Sequence, residues 1–239
     1  MDNIKTAEEV TLQSFLNCYI RETEAGEQKA GRLYIDLPHQ EMEIMAPLHY
    51  ASITGRHLFS FPLLYKAKRQ AQWLDADLVT ASSLLLKELA LEYKTSRHVP
   101  EAMKRILLSY ENIAFFLENR SADTNSLYRA GRSFIESEQS LLYGHLFHPT
   151  PKSRQGMNEQ ETLLYSPETK GRFSLHYFWI HHSIAEAKSA DGEAAEEKIF
   201  SLFSEEDRQN WADYPDYILI PVHPLQASVL LRSLIYSHG

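Results

Sequence analysis

Cysteine is almost missing from this 239-residue chain: Cys18 stands alone, so no disulfide can form within it, which fits a reducing compartment. Glycine is scarce too, with nine in all. Neither a Walker-type phosphate loop nor a Rossmann glycine fingerprint is present, so phosphate held here is not cradled by glycine-rich backbone. No apolar run approaches the roughly 18–20 residues of a membrane-spanning helix, and Met1-Asp2-Asn3-Ile4-Lys5 lacks the apolar stretch of a secretory leader. A cytoplasmic protein without a membrane partner is expected. Positive charge is in deficit: 24 Lys and Arg against 32 Asp and Glu give a formal charge of −8, which argues against general nucleic-acid binding but leaves room for a local basic pocket. Hydrophobic residues make up 44%, enough for a real core and against disorder.

What is present reads as α+β, with helices beside a mostly antiparallel sheet. Thr6 and Glu9 have capping-box spacing, followed by the stripe Leu12, Phe15, Leu16, Tyr19 and Ile20. Cys18 lies in that helix and reads as a core thiol. Partial alternation over Arg32 to Ala46 predicts a hairpin turning near Pro38-His39-Gln40, with His57 to Tyr65 as a third strand. Asp77 caps a helix running to about Lys94, and Pro100 suits the first turn of the next. Ser121 to Asn125 is a polar break. A helix near Ser133 to Tyr143, strands near Thr162 to Tyr165 and Arg172 to Trp179, helices over Ala194 to Phe203 and Ser204 to Ala212, a strand at 217–222 and a last helix complete the reading.

The chemistry concentrates in Gly144-His145-Leu146-Phe147-His148-Pro149-Thr150-Pro151-Lys152-Ser153-Arg154-Gln155-Gly156. Proline fixes φ and donates no N–H, so this is a stiff loop rather than a helix. It carries imidazole, ammonium and guanidinium groups, which suit a polyanion; a solvated surface connection is the plainer alternative. Ile220-Pro221-Val222-His223-Pro224-Leu225-Gln226 is a second such element, at the carboxyl end of a buried strand. There His223 either faces a ligand or caps backbone groups. Glu136 and Glu138 either orient the basic loop or are solvated helix charges. His176, His181 and His182 do not have the i to i+3 or i+4 spacing that puts two zinc ligands on one helical face, and no metal site is expected among them.

The pattern G-H-x-x-H-P-x-x-K-x-R-x-G followed by P-x-H-P-x-Q resembles the NRPS-independent siderophore synthetases of the IucA/IucC family. The likeness extends to Ser133-Phe134-Ile135-Glu136-Ser137-Glu138-Gln139-Ser140, Tyr165-Ser166-Pro167-Glu168, Leu175-His176-Tyr177-Phe178 and, near the start, Gln13 to Glu22. Leu146 and Leu225 stand where the family more often has Pro and Trp; with the run Thr150 to Gly156 they resemble the branch that joins citrate to spermidine. The resemblance implies an ATP-dependent ligase that activates a citrate carboxylate as an acyl-adenylate and passes it to an amine, here a polyamine. It implies ATP or citrate contacts at His145, His148, Lys152, Arg154, His223 and Gln226, a cupped-hand fold of thumb, fingers and palm, and a possible homodimer. Residues 1–125 would be a helical thumb-like lobe with a small hairpin, and 126–239 the start of a fingers-like lobe. The family's S-x-R-T segment and its Mg2+-holding acidic residues are not matched here, so the chain is expected to be an amino-terminal fragment, inactive alone. The alternative function is a noncatalytic lobe that needs a further part or a partner chain.

Overall fold

Asp2 starts the first helix, α1 (Asn3–Thr23), by accepting the backbone N–H groups of Ile4 at 3.0 Å and Lys5 at 3.3 Å. The expected Thr6 and Glu9 box does not form. Asp2 captures the helix start one turn earlier, and the Thr6 hydroxyl donates back to the Asp2 carbonyl at 3.0 Å. The computed structural model describes residues 2–120, 129–190, 192–211 and 215–237.

After α1 the chain forms a six-stranded antiparallel sheet from β1 (Glu27–Lys29), β2 (Arg32–Leu37), β3 (Met42–Tyr50), β4 (Leu58–Phe59), β5 (Leu63–Ala67) and β6 (Leu74–Ala76). The order is β1-β2-β3-β5-β6, with β4 also paired to β3. The hairpin forms as expected, from Arg32 opposite Pro47 to Leu37 opposite Met42, around a single turn of 3-10 helix at Pro38–Gln40. Leu33, Ile35 and Leu37 alternate inward and are all buried. The expected third strand is split into β4 and β5 by residues 60–62, where the Phe61–Pro62 peptide is cis. The amino-terminal part therefore holds a sheet much larger than a small hairpin.

Helices α2 (Leu78–Tyr93) and α3 (Val99–Asn119) follow, and α1, α2 and α3 pack on one another and on the sheet. Asp77 caps α2 by accepting the Thr80 N–H at 2.7 Å, and Pro100 sits in the first turn of α3, both as expected. Leu12, Leu16, Ile35, Leu37, Ile44, Leu63, Leu85 and Ile106 are almost wholly buried in the shared core. Each contributes about 1.5–3 kcal/mol relative to exposure. Polar groups on α1 also reach the sheet. The Asn17 side chain accepts from the His57 N–H and donates to its carbonyl, both at 3.1 Å, while Gln13 accepts from the Phe59 N–H at 2.9 Å.

The described residues divide into two compact units, Met1–Gly171 and Arg172–Gly239. The polar break at 121–125 and the boundary expected at 125/126 lie outside the described residues; the division falls at Gly171. In the first unit α4 (Phe134–Glu138) is shorter than the predicted helix, and an irregular stretch leads to α5 (Glu159–Tyr165). That helix replaces the strand expected over Thr162 to Tyr165, because Asn158 and Glu161 form a reciprocal capping box. The second unit pairs β7 (His176–His181) antiparallel with β8 (Tyr217–Val222), accompanied by α6 (Ala195–Phe200), α7 (Glu205–Trp211) and α8 (Pro224–Ser237). The strand predicted from Arg172 begins only at His176.

Candidate functional site

The basic loop is built against α3. Lys152 donates its backbone N–H to the Ser109 hydroxyl at 3.0 Å, and its carbonyl accepts from the Asn112 amide at 2.7 Å. Ser109 and Asn112 lie three residues apart on one helical face, so together they hold both sides of one peptide. Gly144 lets the loop close over this point. At φ +79° it occupies left-handed backbone, and a Cβ there would sit 2.6 Å from the Pro151 Cβ and 3.2 Å from the Lys152 Cε.

Lys152 is buried, with 7% exposure, and its ammonium donates to the Glu168 Oε1 at 2.6 Å. Arg154 donates to the same carboxylate oxygen and, through its other terminal nitrogen, to the Ser166 hydroxyl at 3.1 Å. Its guanidinium carbon lies 6.0 Å from the centre of the Phe116 ring. Arg154 is the outer member of the group, its side chain 38% exposed. Glu168 is the inner one, its side chain only 2% exposed. Arg120, capping the end of α3, donates to the Glu168 carbonyl at 2.8 Å and to the Gln139 carbonyl at 2.6 Å. Gly171 closes this turn so tightly that a Cβ would meet the Leu164 carbonyl oxygen at 2.4 Å.

Burial pushes the Glu168 carboxyl up, but the hydrogen bonds from Lys152 and Arg154 outweigh it and hold the group below the usual glutamate range. Glu168 is therefore ionised, and two cations share one anion. The loop keeps a net positive charge inside an acidic protein, which attracts phosphate or carboxylate oxygens.

The two loop histidines do not join this cluster. His145 Nδ1 accepts the Phe147 N–H at 3.1 Å, and His148 Nδ1 accepts the Thr150 N–H at 3.1 Å. Each neutral ring thereby carries its proton on Nε2, and both residues are exposed. His148, Pro149 and Thr150 border a cavity of about 440 Å3 walled by apolar side chains of α1, α2 and α3, among them Phe15, Tyr19, Leu86 and Ile106. Cys18 also lines it and is half-buried rather than a core thiol; burial pushes its thiol up.

Glu136 and Glu138 are not the partners of the basic loop. Glu136 folds back onto the Ser133 N–H at 2.8 Å as the other half of a capping box, and both residues are exposed. The partner is Glu168, which sequence reasoning noted only within Tyr165-Ser166-Pro167-Glu168. In the second unit, His223 Nδ1 accepts the Leu225 N–H at 3.2 Å and its ring stands edge-on to Phe173 at 4.5 Å. Gln226 is exposed in the first turn of α8.

Residues 133–238 match the IucA / IucC family. The chain is 38% identical over 251 residues to a spermidine-citrate ligase of Bacillus anthracis, covering 95% of this chain and 42% of that protein. It is 32% identical over 231 residues to the rhizobactin siderophore biosynthesis protein RhbC of Rhizobium meliloti, covering 93% and 39%. The chain thus spans about two fifths of the length of the curated relatives it matches. In fold it is similar to the ATP-bound aerobactin synthetase IucA of Klebsiella pneumoniae, with a TM-score of 0.77 at 24% identity over 96% of this chain and 42% of that one.

Proposed function

The chain belongs to the IucA/IucC family, and from that premise we propose that it serves siderophore biosynthesis as the anion-handling part of a citrate–amine ligase. In the proposed reaction a citrate carboxylate attacks the α-phosphate of ATP and pyrophosphate leaves. The amine, a polyamine such as spermidine, then displaces AMP from the acyl-adenylate to form an amide. Bringing a carboxylate to a triphosphate sets anion against anion, so fixed positive groups lower the barrier.

The observation that carries this reading is the Lys152–Glu168–Arg154 cluster, which holds a net positive charge behind a half-exposed guanidinium. The similarity to a spermidine-citrate ligase supports citrate and a polyamine as substrates. Arg154 would meet phosphate or carboxylate oxygens, while Lys152 contributes charge from behind it. His145 and His148 would donate from Nε2. His223 and Gln226 keep their place in the proposal through the motif they share with the family. Among the described residues no three His, Cys, Asp or Glu side chains group into a metal site.

Two measurements on the 239-residue chain test the reading. Calorimetric titration with ATP and with citrate reads binding, and pyrophosphate release in the presence of ATP, citrate and spermidine reads turnover. Binding without release would assign the chain the binding half of the reaction; release would assign it the whole. Failure to bind either ligand would refute the proposal.

A further inference from the structure

Lys152 and Arg154 look interchangeable in the sequence, as two cations two residues apart. In the structure they are not. The Lys152 ammonium is buried and committed to Glu168, whereas Arg154 is half-exposed and touches Glu168 and Ser166 from the outside. Resting on the anion-site reading above, we propose that Glu168 is a positioning residue: it fixes the Arg154 guanidinium as an outward-facing anion fork, with Lys152 as its counter-charge rather than as a ligand contact.

Three features carry this. The first is charge. A lone Glu168 beside Arg154 would orient the guanidinium but also cancel its charge. Lys152 already matches the Glu168 charge from the buried side, so Arg154 is held without being neutralised. The second is the mode of contact. A strong carboxylate–guanidinium pair is commonly bidentate, two parallel N–H groups on two oxygens, and turns the fork toward the carboxylate. Here Arg154 and Lys152 both converge on Oε1, while Oε2 is buried with no hydrogen-bond partner. A buried carboxylate selected only for stability would use both oxygens, because an unpaired buried acceptor is costly. This single-oxygen grip and the bond to Ser166 use two of the five N–H donors of a guanidinium and leave the rest for a ligand.

The third feature is rigidity. Lys152 is pinned to Ser109 and Asn112 on α3, and the Glu168 carbonyl is held by Arg120 at the end of the same helix. Both anchors of the Arg154 tether therefore stand on one helix. A long, flexible side chain loses much entropy when it binds, and fixing it beforehand lowers that cost.

The ligand chemistry is a phosphate or carboxylate oxygen pair. Inorganic pyrophosphate and citrate, titrated separately into the 239-residue chain, distinguish the two sources; binding of either supports the site and names its anion. Arg154→Ala is expected to weaken binding by about tenfold or more, the worth of a charged hydrogen bond. The informative variant is Lys152→Met with Glu168→Leu, which removes one charge of each sign and leaves the local charge unchanged. Replacing a buried ion pair by apolar groups of similar volume is tolerated. This variant should melt close to the unaltered chain yet bind about two- to tenfold more weakly, the cost of ordering one long side chain on binding. Adding Arg154→Ala to it should cost less than Arg154→Ala costs the unaltered chain.

A folded double variant with unchanged affinity overturns the positioning role alone. Unchanged affinity in Arg154→Ala, or no binding of either probe by the unaltered chain, overturns the anion-site reading itself. Should the double variant fail to fold, nitrogen-15 NMR of the unaltered chain decides: Arg154 should give a sharp Nε–H signal with slowed guanidinium rotation, identified by its loss in Arg154→Lys. A signal averaged like that of a solvated arginine overturns the tether.

Discussion

At the scale of single residues, Glu168 joins stability to pH. Its carboxyl is held below the ordinary value of 4.5, so the folded state binds its proton less readily than the unfolded chain. The stabilisation is complete above that value and is lost as pH falls through the folded value. Glu168→Ala should cost about 3–5 kcal/mol near neutral pH, because it strands the buried Lys152 ammonium. The gap in melting temperature between the two proteins should shrink as pH drops below 4.5; a gap constant into acid would show that the ionised pair is not what Glu168 contributes. Gly144 makes a simpler prediction. Gly144→Ala combines left-handed backbone with a contact at 2.6 Å to Pro151, and should lower stability by about 1–3 kcal/mol in a denaturant titration. Lys152 and Arg154 were legible as a pair from spacing alone. Their different fates were not, because the choice of partner is set by one residue, Glu168, which lies 16 positions downstream of Lys152 and 14 downstream of Arg154.

At the scale of elements, α3 organises the site, although its sequence announces only an amphipathic helix. Met103, Ile106, Leu107, Tyr110, Ile113, Ala114 and Leu117 repeat at helical spacing, and of these Ile106 and Ile113 are buried in its core face, as is Phe116, which the spacing did not single out. Ser109 and Asn112 carry no such signal: each is an ordinary polar residue until the loop arrives. Ser109→Ala should leave the buried Lys152 N–H without an acceptor and cost about 1–3 kcal/mol, against a few tenths for an exposed serine. Hydrogen exchange should locate the loss, with faster exchange at Lys152 and no change in the β2–β3 hairpin. The misread strand over Thr162 to Tyr165 has a related cause. Its short apolar run fits a strand or a helix equally, and the reciprocal cap between Asn158 and Glu161 decides for the helix. The hairpin and α2 were read correctly because turn chemistry and the Asp77 cap are local.

At the scale of the whole molecule, the two units differ in what holds them. The main core cluster of the first unit draws on α1, the sheet, α2 and α3, and the basic loop and Glu168 are anchored to α3 within the same unit. The break in composition near Ser121 suggested a boundary there, yet the residues from 133 to 171 belong with α3 through long-range bonds that leave no trace in local composition. Among the described residues of 172–239 there is a single two-stranded ladder, and the buried apolar side chains are Ile218, Leu219 and Ala227. Units below about 70–80 residues rarely bury enough apolar surface to fold firmly without a further staple, and no cysteine lies in this one. Residues 1–171 expressed alone should therefore unfold in one cooperative thermal transition by circular dichroism, with the Ser109–Lys152 and Lys152–Glu168 contacts intact. Residues 172–239 alone should melt gradually or not at all. A sharp transition in the second piece, or a broad one in the first, would mean that stability is distributed between the units differently from the way their cores are.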